Sequence, residues 1–275
     1  PPDGSTMALQ QVAPGVDVWL GSGHPGSPNA TVIVDDDGLT VVDTLLSPSQ
    51  AQPFAVDCEQ LARPVRRMVL TSSHVEYVGG STAFPLAAVY GTPQISAHLD
   101  QDPNVEGCRQ LFADHAHEFD DLVTRTVSHT VAEAAWISAS AVAVPLGGEL
   151  AQNLAVQVPE AGVVVCGALA SFGTTPLVFD GDPGQWIESL DVILGYGSVF
   201  VPGHGPVGDA SSIRDLQAYL EACLGAKGRA DALPPGPWDR WEARHFDAIN
   251  VERAAMLAAG DPAPPPSMLR LLGLN

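Results

Sequence analysis

Short apolar runs separated by turn signals dominate the first part of the chain. The runs at residues 16–20, 30–34, 39–43 and 65–70 each have the length of a β-strand. The sequence Asp35-Asp36-Asp37-Gly38 between the second and third runs is a strong turn signal, and it predicts a β-hairpin. Ser47 followed by Pro48 is typical of a helix start and predicts a helix over residues 47–61.

The pattern changes after residue 70, where a polar loop begins. Gly79-Gly80 predicts that the loop leads into another helix. Residues 89–90 and 94–97 predict another strand edge. Residues 103–123 have helical character and carry His115 and His117. Side chains two apart on a helix point to different faces, so we expect this pair to lie on a solvated face and not to form a metal site.

The second half of the chain repeats this logic. Strands are predicted at residues 138–144, 154–158, 162–166 and 199–201. Helices are predicted at residues 183–194, 213–224 and 239–259. Trp241, His245 and Ile249 share one face of the last helix, which predicts docking onto the core, with covering of the site mouth as the alternative. A Pro-rich segment follows at residues 262–266.

Strands followed by a helix in both halves predict an α/β fold in which two sheets pack together with helices outside. We expect one such domain over residues 1–275, with residues 238–275 forming a C-terminal helix and a Pro-rich tail. Residues 1–6 precede Met7, and we expect them to be a remnant added before a native start at Met7.

Composition narrows the classes of function. Hydrophobic residues make up 45% of the chain and charged residues 16%, which suits a folded domain with a sizeable core. The net charge of −20 disfavours nucleic acid and anionic membrane surfaces as partners. Cys58, Cys108, Cys166 and Cys223 are far apart, so we expect buried thiols and neither disulfides nor a thiolate zinc site. With no visible signal peptide, a cytoplasmic location is the expectation.

Two apolar strand ends open into polar loops, which is where α/β proteins place their sites. The first is MVLTSSHVEYVGG at residues 68–80, and the second is VFVPGHGP at residues 199–206. Together they resemble the metallo-β-lactamase superfamily, in which T-H-x-H-x-D-H-x-G-G follows an early strand and P-G-H-G-P follows a late one. Weaker matches in the same order, at residues 34–43, 154–167 and 173–190, extend the resemblance along most of the chain. The resemblance implies an αββα two-sheet sandwich.

The chain departs from the family at most ligand positions. Within the first motif, Ser72 stands at the first His, His74 keeps the second, Glu76 replaces the Asp, and Tyr77 replaces the third His. In the second half, Glu149 falls at the His of the family's G-H-T motif, Ala168 falls at the bridging Asp, and His204 keeps the last His. Loss of the bridging carboxylate disfavours a dinuclear zinc site.

The resemblance implies that the remaining groups form a degenerate site. His74, Glu149 and His204, with Glu76 as a further candidate, would hold one divalent metal ion, zinc or iron; a site without metal is the alternative. Glu76, His74 and His204 are the predicted catalytic residues. Ser72, Ser73 and Tyr77 are the candidates for substrate contacts.

Two functional classes remain open from the sequence. The first is a hydrolase that attacks an ester, thioester, lactone or amide of a small molecule with activated water. The second is a metal-free pseudoenzyme that binds a ligand or partner without turnover. We expect a small-molecule substrate or ligand, no nucleic acid and no membrane, and we leave a homodimer open.

Overall fold

Two β-sheets pack face to face, and α-helices cover the outer face of each sheet. The computed structural model describes residues 9–274, so the expectation for residues 1–6 falls outside the described residues. This arrangement confirms the predicted αββα two-sheet sandwich.

The first sheet contains the early hairpins and three parallel pairings. Its strands, in spatial and sequence order, are β1 (Gln10–Ala13), β2 (Val16–Trp19), β3 (Ala30–Asp35), β4 (Gly38–Val42), β5 (Val65–Val69), β6 (Ala88–Gly91) and β7 (His129–Thr130). Strands β1 to β4 pair antiparallel, and β4 to β7 pair parallel. The predicted hairpin at residues 35–38 joins β3 to β4, with Asp35 opposite Gly38.

The second sheet is built from the later part of the chain. Its strands are β8 (Ala135–Trp136), β9 (Val142–Leu146), β10 (Asn153–Val158), β11 (Val163–Ser171) and β12 (Val199–His204), in the spatial order β12-β11-β10-β9-β8. Strands β11 and β12 run parallel, and the other neighbouring pairs run antiparallel. The parallel pair carries the second motif, at residues 199–206, to the sheet edge, because β12 ends at His204.

The α-helices of the described residues are α1 (Pro48–Gln60), α2 (Val75–Val78), α3 (Pro93–Leu99), α4 (Val105–Leu111), α5 (Pro183–Leu194), α6 (Ala210–Gly225), α7 (Asp247–Ala258) and α8 (Pro266–Leu271). The Ser47 hydroxyl caps α1 by accepting from the Gln50 N–H, as its sequence predicts. No helix within residues 9–274 is long and apolar enough to cross a membrane.

Apolar side chains fill three layers. Between the sheets, Val16, Val18 and Ile33 of the first sheet pack in one cluster with Val156 and Val165 of the second. A second layer lies between the first sheet and α1, and a third between the second sheet and α5, α6 and α7. Burial of these layers supplies the main driving force for the fold.

Several local predictions were wrong. Residues 94–97 are helical in α3, since the Thr92 hydroxyl accepts from the Ile95 N–H and caps that helix. After Gly79-Gly80 the chain makes only a 3-10 turn at Ser81–Ala83. The region 103–123 divides into α4 and a 3-10 segment at Ala113–Phe119.

The C-terminal region also differs from one long helix. Residues 239–259 contain parts of two 3-10 turns, at Pro237–Arg240 and Arg244–Phe246, before α7 begins at Asp247. Ala243, between those turns, has a positive φ of 55°, which a continuous α-helix does not allow. After the Pro-rich segment, α8 returns to the body of the protein with Met268 buried.

Candidate functional site

The site lies where β5 and β12 end, and Thr71 ties both sheets together there. Thr71 donates from its backbone N–H (2.8 Å) and its hydroxyl (2.7 Å) to the two carboxylate oxygens of Asp43. The Thr71 hydroxyl accepts from the Ala168 N–H at 3.0 Å, and its carbonyl accepts from the Leu154 N–H at 3.0 Å. One buried residue of the first sheet thus fixes the position of β10 and β11.

Asp43 is buried and has a positive φ of 61°. Burial raises the pKa of its carboxyl group to about 8, although the hydrogen bonds from Thr71 act in the opposite direction. The left-handed turn at Asp43 sends the chain under α2, where Thr44 donates to the Tyr77 carbonyl.

The Gly79-Gly80 pair lets this segment approach α2 closely. A Cβ atom on Gly79 would lie 1.9 Å from the Leu46 carbonyl oxygen, and one on Gly80 would lie 2.1 Å from that of Thr44. Both positions therefore require glycine, and the close approach fixes the short helix that carries Glu76 and Tyr77.

His74 stands at the N-terminus of α2, between two carboxylates. Its Nδ1 lies 3.2 Å from Glu149 Oε1, and its Nε2 lies 3.4 Å from Asp180 Oδ2. Its ring stacks on Phe179 at a centroid distance of 5.1 Å. Burial alone would lower the pKa of His74, but Glu149 and the hydrogen bond to Asp180 outweigh it and hold that pKa well above its ordinary value.

Glu76 and Glu149 are both buried, at 6% and 4% exposure. Burial raises the pKa of Glu76 to about 7, with His74 lowering that pKa and Glu149 raising it. The Oε2 atoms of both glutamates are buried and have no hydrogen-bond partner among the described residues. Two carboxylates this well removed from water are unusual unless another group compensates them.

His204 approaches from the second sheet and meets Tyr77. Their rings make an edge contact at a centroid distance of 5.9 Å. A Cβ on Gly203 would come within 2.7 Å of the Tyr77 ring, so the glycine before His204 makes room for this contact. Burial lowers the pKa of His204 to about 4, and its Nδ1 is a further buried atom without a partner among the described residues.

A small cavity lies among these groups. Its volume is about 30 Å³, and Glu76, Tyr77, Glu149, Ala168 and His204 all contribute to its wall. That volume suits about one water molecule or one ion. Glu76, Glu149 and His204 therefore all border the same cavity, and each of them has a buried polar atom without a partner among the described residues.

His74, Glu76 and Glu149 fit a metal ion. Each offers one ligand atom, and these atoms lie within 4.8 Å of one another. An imidazole with two carboxylates suits zinc or another divalent first-row metal, and the two negative charges would balance the cation. Glu76 joins His74 and Glu149 here, whereas His204, the third predicted ligand, lies outside this cluster of described residues and remains a predicted ligand only.

The predicted substrate contacts lie in different surroundings. Ser72 is fully buried, and its hydroxyl accepts from the His74 N–H at 3.2 Å, which favours a structural role. Ser73 borders a larger cavity, and its hydroxyl lies 2.7 Å from His98 Nδ1. Tyr77 is buried against His204. The roles of all three toward a substrate remain predictions.

Phe179 and Asp180 are site residues that the sequence analysis missed. They follow β11 on the loop that leads to α5, and both contact the His74 ring. The signal available in the sequence was the acidic Phe179-Asp180-Gly181-Asp182 segment ahead of a predicted helix. It was ambiguous, because Asp182 serves as an ordinary N-cap of α5.

His115 is also less solvated than expected. Its Nδ1 lies 2.7 Å from Glu118 Oε1, and Glu118 in turn accepts from Ser49 at 2.9 Å. This polar group fastens the 3-10 segment to the start of α1 and has no part in the site.

Comparison with known proteins identifies the family. The model of the metallo-beta-lactamase superfamily matches residues 23–219. The chain belongs to the metallo-beta-lactamase superfamily. A search of curated protein sequences found no match.

Solved metallo-beta-lactamases share the fold at low sequence identity. The enzyme of Pseudomonas aeruginosa in its mono-zinc form is 16% identical with a TM-score of 0.62, over 82% of this chain and 96% of that one. The enzyme of Erythrobacter litoralis is 19% identical with a TM-score of 0.61, over 78% and 95%. That of Pontibacter korlensis is 19% identical with a TM-score of 0.60, over 78% and 98%. At these identities the likeness establishes the fold alone.

Proposed function

We propose that this metallo-beta-lactamase superfamily member is a hydrolase with one divalent cation, held by His74, Glu76 and Glu149. The observation that carries the proposal is the set of unpartnered buried atoms on Glu76, Glu149 and His204 around one small cavity. A buried polar atom without a partner costs about 1–3 kcal/mol, so the cavity is suited to a polar occupant. A cation among His74, Glu76 and Glu149 would compensate the two carboxylates, and one water molecule in the small cavity would give His204 a partner.

The bound cation would polarise a carbonyl oxygen or lower the pKa of water. The residues of this chain supply the remaining functions. Glu76 would help to hold the cation, and a carboxylate oxygen left free of the cation would accept a proton from water. His204, neutral because its pKa is lowered, offers a ring nitrogen to hydrogen-bond water or the substrate carbonyl. Asp180 and Phe179 hold the His74 ring in place.

We propose a neutral ester, thioester, lactone or amide of a small molecule as the substrate class. Acyl compounds of this kind need only an activated water and stabilisation of the developing negative charge. The negative charge of the chain disfavours nucleic acid as a substrate.

Turnover of a panel of p-nitrophenyl esters and thioesters tests the proposal. We expect Glu76→Gln and His204→Ala to lower kcat/KM by more than about 100-fold, because each removes a group that contacts water or substrate. Glu160→Gln, at an exposed position, is the matched control and should retain full activity. Equal activity of Glu76→Gln and the wild-type protein would contradict the proposal.

A metal-free pseudoenzyme is the second candidate, and one observation favours it. Both ring nitrogens of His74 already face carboxylates, so a protonated His74 would itself supply the positive charge of the site. This candidate predicts no turnover of any panel member and no tightly bound metal.

A further inference from the structure

A second and larger cavity opens beside the site. It has a volume of about 380 Å³ and lies among α2, α3, α4, the loop at residues 177–179 and α8. That size is within the range of small-molecule binding sites, whereas the 30 Å³ cavity holds little more than one water molecule. A substrate larger than water therefore has room here and not in the small cavity.

The walls of this larger cavity are mainly apolar. Val75 of α2, Leu111 of α4, Phe179 of the loop, and Met268 and Leu272 of α8 all line it. Met268, Leu111 and Leu272 also pack in one cluster with Phe179. Apolar walls formed by several elements suit an apolar ligand, since burial of each methylene contributes to binding.

The same cavity reaches the proposed reaction centre. His74 and Glu76, two members of the metal-ligand cluster, contribute to its lining. Phe179 lines it as well and stacks on the His74 ring. At its polar margin the hydroxyl of Ser73 lies 2.7 Å from His98 Nδ1. A ligand in the cavity would thus have an apolar end against α8 and a polar end near His74 and Glu76.

Charge limits the kind of ligand that this cavity accepts. Glu76 and Asp102 line it, and none of its lining residues within 9–274 is Lys or Arg. The positive charges of His74 and of the proposed cation are already balanced by Glu76, Glu149 and Asp180, so the carboxylate of a free fatty acid would bring an uncompensated negative charge. The occupant should therefore be neutral at its polar end.

We propose that this cavity is an acyl pocket, which binds the aliphatic acyl chain of a neutral ester or thioester whose carbonyl lies at the His74–Glu76 end. Hydrolysis of the bound ester rests on the proposed function, whereas binding of the acyl chain in the pocket does not. The helix α8 that closes the pocket lies beyond the residues matched by the superfamily model, which end at residue 219. The preference for a ligand with an acyl chain thus depends on the C-terminal region of this protein.

The reaction at the end of the pocket is an ordinary hydrolysis. The water oxygen forms a bond to the acyl carbon, and the bond from that carbon to the alcohol or thiol is broken. Glu76 accepts the proton from water and returns it to the leaving oxygen or sulfur. The products are a carboxylic acid and an alcohol or thiol.

Binding of octanol, a neutral probe that cannot be hydrolysed, tests the pocket separately from turnover. Isothermal titration should detect binding of octanol but not of ethanol. Leu111→Trp and Leu272→Trp fill the pocket from partly exposed positions and should weaken octanol binding at least about tenfold. Leu86→Trp, at a position that is 93% exposed, is the matched control and should bind octanol as the wild-type protein does.

Ester turnover adds a second readout. Both filling variants should raise KM for p-nitrophenyl octanoate much more than KM for p-nitrophenyl acetate, because the acetyl group reaches little of the pocket, whereas Leu86→Trp should keep the wild-type KM for both esters. Octanol binding that is absent, or equal in the wild-type protein and the filling variants, would overturn the acyl pocket even if esters are hydrolysed. Octanol binding that the variants lose, without turnover of any ester, would support the pocket and contradict the proposed function.

Discussion

Single buried side chains hold the two sheets together beside the site. Thr71 is fully buried and links Asp43 of the first sheet to the backbone of Ala168 in the second. In the sequence, Thr71 is only one position of the motif at residues 68–80. Its structural role depends on contacts with residues 28 and 97 positions away, which local patterns do not report.

We expect Thr71→Val to destabilise the protein by about 2–4 kcal/mol. Valine keeps the shape and the backbone N–H bond to Asp43, but it leaves the Asp43 Oδ2 atom and the Ala168 N–H without the hydroxyl partner, at a cost of about 1–3 kcal/mol each. Urea denaturation measures the effect. Thr130→Val, at an exposed position in β7, is the control and should change the free energy of unfolding by less than about 0.5 kcal/mol. A Thr71→Val protein as stable as this control would argue against the network.

The titration of Glu76 predicts how stability depends on pH without metal. The pKa of Glu76 is raised from 4.5 to about 7 in the folded protein. The folded state therefore holds a proton that the unfolded state releases, and this stabilisation is present below pH 4.5 and is lost as pH rises through 7. Glu76→Gln stays neutral throughout and should not lose it.

Chelator-treated protein tests this expectation. Between about pH 4.5 and 7, wild-type protein should lose roughly 1–3 kcal/mol of stability relative to Glu76→Gln. His74 shifts stability with the same sign, and His204, whose pKa is lowered, with the opposite sign; both are present in the two proteins. Parallel stability curves for the two proteins would show that Glu76 does not titrate as described.

At the scale of elements, α7 connects the C-terminal region to the site. Arg253 of α7 is buried and donates to the carbonyls of Asp180 (3.1 Å), Gly181 (2.9 Å) and Pro262 (2.9 Å). It thereby holds the loop that carries Asp180 to His74 and the segment that leads to α8. Phe246, just before α7, lines the small cavity, and Ile249 packs in one cluster with Met268, so the C-terminal region contributes to the wall of the site and to the core.

We expect Arg253→Met to lower both stability and activity. Three or more backbone carbonyls would lose a charged donor, at a cost of about 2–3 kcal/mol. The loop with Asp180 would lose its support, so kcat/KM for any substrate should fall while the metal content stays close to that of the wild-type protein. Arg240→Met, at an exposed position in a 3-10 turn, is the control. A variant with normal thermal stability would contradict this role of Arg253.

The elements themselves differ in how far the sequence predicted them. Helix α5 and the hairpin at residues 35–38 carry local signals, a Pro start or an Asp-rich turn, and both were predicted correctly. The start of α7 was misplaced because Ala243 adopts a positive φ for which the sequence has no signal. The candidate ligands came from motif alignment, but the grouping of Glu76 with His74 and Glu149, and the contacts of Asp180, needed the fold.

At the scale of the whole molecule, the family's fold is retained, and the sequence resemblance implies that its ligand set is altered. Ser72, Tyr77 and Ala168 stand at three positions where the resemblance implies ligands. Ser72 is buried with its hydroxyl bonded to the His74 N–H, and Ala168 has no ligand atom. The clustered donors of His74, Glu76 and Glu149 are suited to one cation.

We expect no useful β-lactamase activity from this protein. That reaction relies on a metal-bound hydroxide supported by the full ligand set of the family. Hydrolysis of a chromogenic cephalosporin, followed by absorbance, should not exceed the blank. Efficient turnover would mean that the altered ligand set supports the family's usual chemistry.

Metal analysis of protein purified without chelator tests the central claim most directly. Elemental analysis of the wild-type protein should find about one equivalent of a divalent metal per chain, and Glu149→Gln should lose it while Glu160→Gln retains it. Two tightly bound equivalents, or none even after incubation with zinc and removal of the excess, would contradict a single cation held by His74, Glu76 and Glu149.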